Sequence, residues 1–289
     1  MIFEKRIPIP SVVIVIAAAI AALATALPVA AQQGASAPGT FIGADLITED
    51  AAAASRFYAD LFGWDVEKVK EGGYAVHHKG HLIASISKID SSTPEVSESF
   101  WLAGIVVEDV EAATKTAARL GAEIHEKVTE VHGYGRFAVI IDPQRAPLML
   151  IEPTSDILGK TSGPGSWVWA ELWIDDVDAA AKFYSKVIGY RQSEVERNDE
   201  KYHVFEFGDE LRAGLVKIPA ELENVEPAWA PYIAVEDLTK TTARVRELGG
   251  RVIFATDHNP VRGAVALILD PTGAALFIHQ IGSAKEVTE

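Results

Sequence analysis

Apolar positions along residues 41–281 change period in a fixed order. A short β-prone run gives way to an Ala-rich stretch with helical spacing, and three further strand-like runs follow it. This order occurs four times. Each helical stretch opens at an Asp and closes at a Gly: Asp50 to Gly63, Asp109 to Gly121, Asp176 to Gly189 and Asp237 to Gly249. An Asp carboxylate accepts the unpaired N–H groups of a first helical turn, and Gly enters the left-handed conformation that ends one. Ala53, Phe57 and Leu61 recur at i, i+4 and i+8, as do Ala180, Tyr184 and Ile188, which predicts a stripe packed on a sheet. At that spacing Phe57 and Phe183 read as core residues.

The four quarters form two matching halves. "SRFYADLFGW" (55–64) is echoed by "AKFYSKVIGY" (181–190) at an offset of 126, and "IIDPQRAPLMLIE" (140–152) by "LILDPTGAALFIH" (267–279). Such self-similarity is read before any single motif. In the first quarter "TFIGADLIT" precedes the helix, and "WDVEKV", "GYAVHHKG" and "HLIASISKI" follow it. In the second, "WLAGIVVE" precedes, and "EIHEKV", "GRFAVIID" and "PLMLIE" follow. Each quarter is therefore β-α-β-β-β. The predicted domains span 41–152 and 167–281, joined by the Gly-, Ser- and Pro-rich linker 153–166.

Composition narrows the function. With 289 residues, 48% of them hydrophobic, the chain can bury two cores. A net charge of −15 and no basic patch exclude a nucleic-acid partner. The absence of cysteine excludes disulfides, thiolate metal sites and a cysteine nucleophile. Lys5 and Arg6, the apolar run Val12 to Leu27 and the small residues before Ala31 have the order of a secretory signal over 1–31. The expectation is an exported, periplasmic or secreted protein; the alternative is an uncleaved N-terminal anchor, the only membrane contact foreseen.

A β-α-β-β-β unit used twice per half, an FY pair in its first helix and a DP turn before its last strand resemble the vicinal oxygen chelate superfamily. That superfamily includes glyoxalases, fosfomycin and bleomycin resistance proteins and extradiol dioxygenases. "WAELWIDDVDAAAKFY" (169–184) and, more loosely, "GADLITEDAAAASRFY" (43–58) are similar to its tandem glyoxalase-like subgroup. The resemblance implies an α+β fold of two tandem domains, each with two βαβββ units curled into a half-open barrel around a cavity. It also implies a metal held in that cavity by His and Glu side chains.

The family's ligand positions, counted from the FY pair, the helix-opening Asp and the DP turn, fall on Gly43, Leu102 and Met149 in the first half. In the second they fall on Trp169, Ala230 and Phe277. None is a metal ligand, so the expectation is no metal and no cofactor. Only a shift of two residues keeps a side chain on the same strand face. That shift gives Asp45, Gly104 and Ile151, and then Glu171, Tyr232 and His279. Glu171 and His279 are the candidate acid/base pair, His279 for its titration near neutral pH and Glu171 to orient it. Trp169 and Trp173 alternate with Glu171 and should share its face as ligand contacts beside Tyr232 and Asp45. Tyr134, Arg136 and Arg262 occupy matching loops and are candidates at the cavity mouth, where an Arg could pair with an anion. His77, His78 and His81 fit a surface hairpin. Trp101 and Trp229 begin matching strands as packing anchors.

The function expected is the binding of a small organic molecule in a barrel cavity, with acid/base or lyase-type catalysis open. A metal-dependent glyoxalase or dioxygenase, a protein that sequesters a drug or toxin, and an interaction protein with unused cavities remain alternatives. Two complete domains remove the need for an oligomer. The second half, aromatic and carboxylate-bearing, is the expected binding half, and the first the roomier and less polar one.

Overall fold

The computed structural model describes residues 37–69, 72–89, 98–131, 135–154, 161–197, 200–220, 225–259 and 263–281. The expected signal segment 1–31 lies outside them, as do Tyr134 and Arg262.

Each half carries the element order read from the sequence. The first contains β1 (Phe41–Thr48), α1 (Ala51–Phe62), β2 (Asp65–Lys68), β3 (Tyr74–His78) and β4 (His81–Lys88). Its second unit is β5 (Phe100–Val106), α2 (Val110–Arg119), β6 (Glu123–Val131), β7 (Gly135–Ile141) and β8 (Pro147–Pro153). The second half opens with β9 (Trp167–Ile174), α3 (Val177–Val187), β10 (Arg191–Arg197), β11 (Glu200–Phe207) and β12 (Glu210–Lys217). It closes with β13 (Ala228–Val235), α4 (Leu238–Glu247), β14 (Arg251–Asn259), β15 (Gly263–Leu269) and β16 (Ala275–Gln280).

The cap chemistry is as the sequence indicates. Asp50 Oδ1 accepts from Ala52 N and Ala53 N at 3.1 and 2.9 Å. Asp109, Asp176 and Asp237 accept from Ala112 N, Ala179 N and Lys240 N at 2.9, 3.0 and 2.9 Å. Gly63, Gly121, Gly189 and Gly249 have φ of 68, 94, 92 and 86°, the left-handed stop that a Cβ would strain. One detail differs. The buried stripe of α1 is Ala51, Ala54, Ser55, Phe57 and Tyr58, while Ala53 and Leu61 are half-buried. Tyr58 packs against Trp64 and Trp101, with ring centroids 5.8 and 5.1 Å away, and this turns the helix from the stripe that spacing alone suggests.

Each half folds into one eight-stranded sheet, ordered β2-β3-β4-β1-β5-β8-β7-β6 and β10-β11-β12-β9-β13-β16-β15-β14. The central pair β1 and β5 is antiparallel, as is β9 with β13, and each member is flanked by a parallel partner. Helices cover one face of each sheet, and the halves join through those faces. One core unites Ile105, Ile140 and Leu148 with Leu172, Tyr184 and Phe205; the other unites Leu46, Tyr58 and Trp101 with Ile233, Val245 and Leu276.

The repeated FY and DP motifs meet across this junction. Tyr184 donates to Asp142 Oδ2 at 3.0 Å and accepts from Trp229 Nε1 at 3.0 Å. Tyr58 accepts from Trp101 Nε1 at 3.0 Å and faces Asp270. Burial, and then the adjacent carboxylate, hold both phenols far above their ordinary pKa, so they remain protonated donors. Trp101 and Trp229 are thus the packing anchors expected. The FY pair anchors more than its own sheet, because its tyrosine also ties one half to the other.

Candidate functional site

The faces opposite the helices, which the family resemblance makes the concave ones, carry their own buried side chains. Period-two alternation places Leu102, Met149 and Ile151 there in the first half, and Trp169, Trp173, Ala230, Tyr232 and Phe277 in the second. Five of the six family ligand positions therefore lie on these faces, and the sixth, Gly43, carries no side chain. They offer no carboxylate or imidazole, and among the described residues no three His, Asp or Glu side chains come together. This donor set does not fit a divalent metal.

In the second half Glu171 lies mid-sheet, level with Gly214 of β12 and Ala230 of β13, and is fully buried. Tyr202 donates to its Oε1 at 2.6 Å and Tyr232 to its Oε2 at 2.5 Å. Trp173 Nε1 adds a third donor to Oε2 at 3.2 Å, and Trp169 Nε1 donates to the Tyr202 hydroxyl at 3.1 Å. Hydrogen bonds to a charged group contribute about 1.5–3 kcal/mol each, so this set can offset the cost of a buried carboxylate. Gly214 makes the approach possible: a Cβ there would lie 1.8 Å from the Tyr202 hydroxyl and 2.8 Å from Glu171 Cγ. Phe277 stacks on Tyr232, with centroids 4.5 Å apart and planes 8° apart, and on Trp173 at 6.0 Å. His279 follows Phe277 by two residues on β16, level with Val265 and Ala234, and is half-exposed.

The ladders give each of these residues a counterpart in the first half. Leu46 pairs with Ile86 as Leu172 pairs with Leu215, so Asp45 and Ser85 correspond to Glu171 and Gly214. Gly43 pairs with Gly104 as Trp169 pairs with Tyr232, and the counterpart of Tyr202 is Gly73. Three rings of one half are three glycines in the other.

Asp45 is buried, and its Oδ1 accepts from Ser85 N at 2.6 Å. Its Oδ2 and the Ser85 hydroxyl have no hydrogen-bond partner among the described residues. Burial pushes the Asp45 carboxyl up from 3.8 to about 6, against the lowering effects of the Ser85 backbone N–H and of the Ser85 hydroxyl, which lies near the carboxylate without making a well-aligned hydrogen bond to it. Asp45 and Ser85, their two unpartnered oxygens themselves buried, line a cleft with Gly43, Leu82, Met149 and Ile151. About 320 Å³ of it is free of atoms, solvent at the mouth included, and about 20 Å³ admits the centre of a water molecule.

The sequence candidates thus separate. Glu171, Trp169, Trp173 and Tyr232 are brought together, and His279 lies farther along the same face. Asp45 occupies the equivalent place in the other half. Arg136 lies elsewhere, paired with Glu152 and Glu111 at 3.4 and 3.3 Å, where Glu152 also caps Val110 N at the start of α2. His77, His78 and His81 form the β3–β4 hairpin, and His78 Nε2 meets the Pro164 carbonyl at 3.0 Å. Sequence reasoning missed Tyr202, Ser85 and Gly214. Gly214 carried a signal, since a glycine within a strand marks a close approach. Ser85 was recoverable only by aligning the halves strand by strand.

Comparison with known proteins agrees with this architecture. The model of the Glyoxalase/Bleomycin resistance protein/Dioxygenase superfamily matches residues 41–150 and again 167–277. CFP32 of Mycobacterium tuberculosis, provisionally named a glyoxylase, is 32% identical over 248 residues, covering 83% of this chain and 94% of its own. The anthracycline biosynthesis protein DnrV of Streptomyces peucetius is 30% identical over 264 residues, covering 85% and 94%. The fold is shared with the 2,2',3-trihydroxybiphenyl 1,2-dioxygenase of Sphingomonas wittichii (TM-score 0.60, 13% identity, 87% of this chain and 95% of that one). It is shared equally with the Mn(II)-bound glyoxalase of Novosphingobium aromaticivorans (TM-score 0.58, 12% identity, 84% and 82%).

Proposed function

The chain belongs to the Glyoxalase/Bleomycin resistance protein/Dioxygenase superfamily, and from that premise we propose that it binds a small organic molecule on a concave sheet face without the divalent metal of the family. One observation carries the reading. The six positions that would hold a metal carry no carboxylate or imidazole, while both halves place a buried carboxylate, Asp45 or Glu171, one strand step away. A carboxylate among apolar and aromatic side chains is the sparse polar anchor of an organic-ligand site. Binding is favoured over acid/base turnover at Glu171, because both its oxygens are engaged by phenols and it touches no solvent.

The test combines metal analysis with thermal shift across aromatic alcohols, quinones, aldehydes and carboxylic acids. The expected result is stabilisation by at least one compound class, unchanged by a chelator, with far less than one metal ion per chain. A stoichiometric divalent ion needed for binding or turnover would overturn the metal-free reading. Export is part of the proposal and rests on the charged, apolar and small-residue order of residues 1–31. N-terminal sequencing should begin near Gln32; a retained Met1 in the membrane fraction would show an anchor instead.

A further inference from the structure

The two halves solve the same problem differently. In the second, the carboxylate on the central strand is met by hydroxyls of the protein's own rings, Tyr202 and Tyr232. In the first, the same strand position holds Asp45, and both ring positions are glycine. Its strand ladder also stops one pair sooner. The β1–β4 ladder runs from Leu46–Ile86 to Thr48–Lys88, whereas the β9–β12 ladder extends one step further, to Glu171–Gly214. Beyond Leu46, Asp45 Oδ1 takes up Ser85 N, and the Trp167 indole of the other half takes up the Ile83 carbonyl at 2.9 Å. The cleft lies beside this ladder end and is lined by Asp45 and Ser85, whose Oδ2 and Oγ are buried without a hydrogen-bond partner among the described residues.

A buried carboxylate oxygen with no protein donor is costly, and it is retained where something else supplies the donor. We propose that the first half holds the ligand, a small phenol-like molecule whose hydroxyl donates to Asp45 as the Tyr232 hydroxyl donates to Glu171. This rests on the reading that the concave faces bind small molecules, and it assigns that role to the half without built-in rings. Ser85 Oγ offers the ligand oxygen a donor in return. The apolar wall of Leu82, Met149 and Ile151 suits a ring and gives no counter-charge for a second ionised group. Entry requires two side-chain ends to move: over Gly104 stand Ile151 Cδ1 and Met149 Cε, 2.8 and 3.3 Å from where a Cβ would lie. Both are terminal methyls: the Ile151 one turns about χ2 alone, whereas the unbranched Met149 chain repacks around a guest at little cost.

The experiment is a titration of the ¹⁵N-labelled full chain with phenol and, separately, toluene, which has the same shape without the hydroxyl. Phenol should shift the Ser85 and Asp45 amides, with affinity at least tenfold above that of toluene; Asp45→Asn should remove most of that difference. The wild-type comparison stands even where the variant folds poorly. Equal affinity for both probes would overturn the role of Asp45. Shifts confined to the Trp169 and Trp173 indoles would overturn the placement in the first half and leave the small-molecule reading standing. No binding of phenol, together with no stabilisation by any compound of the wider panel, would sink both.

Discussion

Asp45 gives a pH signature of known sign. Its carboxyl ionises at about 6 in the folded protein and near 3.8 in the unfolded chain. A raised acid pKa means that the folded state holds its proton more tightly. The stability tied to that proton is fully present below 3.8, falls as pH rises toward 6, and is gone above it. A rise of about two pH units, at 1.36 kcal/mol each, makes the total about 3 kcal/mol. Asp142 and Asp270 are also raised by burial, so the wild-type profile alone would mix three groups. Asp45→Asn isolates one of them. The replacement keeps an oxygen for Ser85 N and cannot ionise. Urea unfolding of both proteins between pH 4 and 8 should show the difference in stability moving by about 2–3 kcal/mol in favour of Asn as pH rises. Most of the change should fall between pH 4 and 6. A difference that stays flat within about 1 kcal/mol would show that Asp45 is solvated or partnered in solution, and would refute the burial argument.

Other consequences follow from the same geometry. Tyr232→Phe removes a 2.5 Å bond from a buried carboxylate, and should cost about 1.5–3 kcal/mol by urea unfolding; less than about 0.5 would mean that Glu171 is held by other donors. Gly214→Ala should cost at least as much and change the near-ultraviolet circular dichroism, because its Cβ would displace the Tyr202 ring. Tyr184→Phe should weaken the junction of the halves by about 1–3 kcal/mol, through its lost bond to Asp142 and the unpaired indole of Trp229; an unchanged melting midpoint would argue against that junction.

Much of this molecule was legible locally. Caps, strand periods and the twofold repeat are short-range properties, written by Asp and Gly at helix ends and by alternation within strands. Family ligand positions could be located and found without donors, because alternation keeps a strand residue's face the same wherever the strand lies. Placing Glu171, Tyr232 and both tryptophans on one face needed no more than that. Arg136 shows the limit. Its loop position suggested a cavity mouth, yet at the start of β7 its side chain lies on the helix-bearing face, drawn by Glu111 and Glu152 from elements distant in sequence.

The sequence by itself determined the fold, the duplication and the carboxylate at each central strand, since those depend on residues within one element or a fixed offset. Only the tertiary structure decided what each carboxylate faces. Tyr202 comes to Glu171 from a strand 31 residues away and Tyr232 from one 61 residues away. A glycine at 214 admits the first ring, and paired strands hold the second. Around Asp45 the same positions are glycine and the β1–β4 ladder ends one pair sooner, so equivalent sequence positions became a ring-filled network in one half and a cleft in the other. Register and packing across a sheet are long-range, and no local pattern carries them.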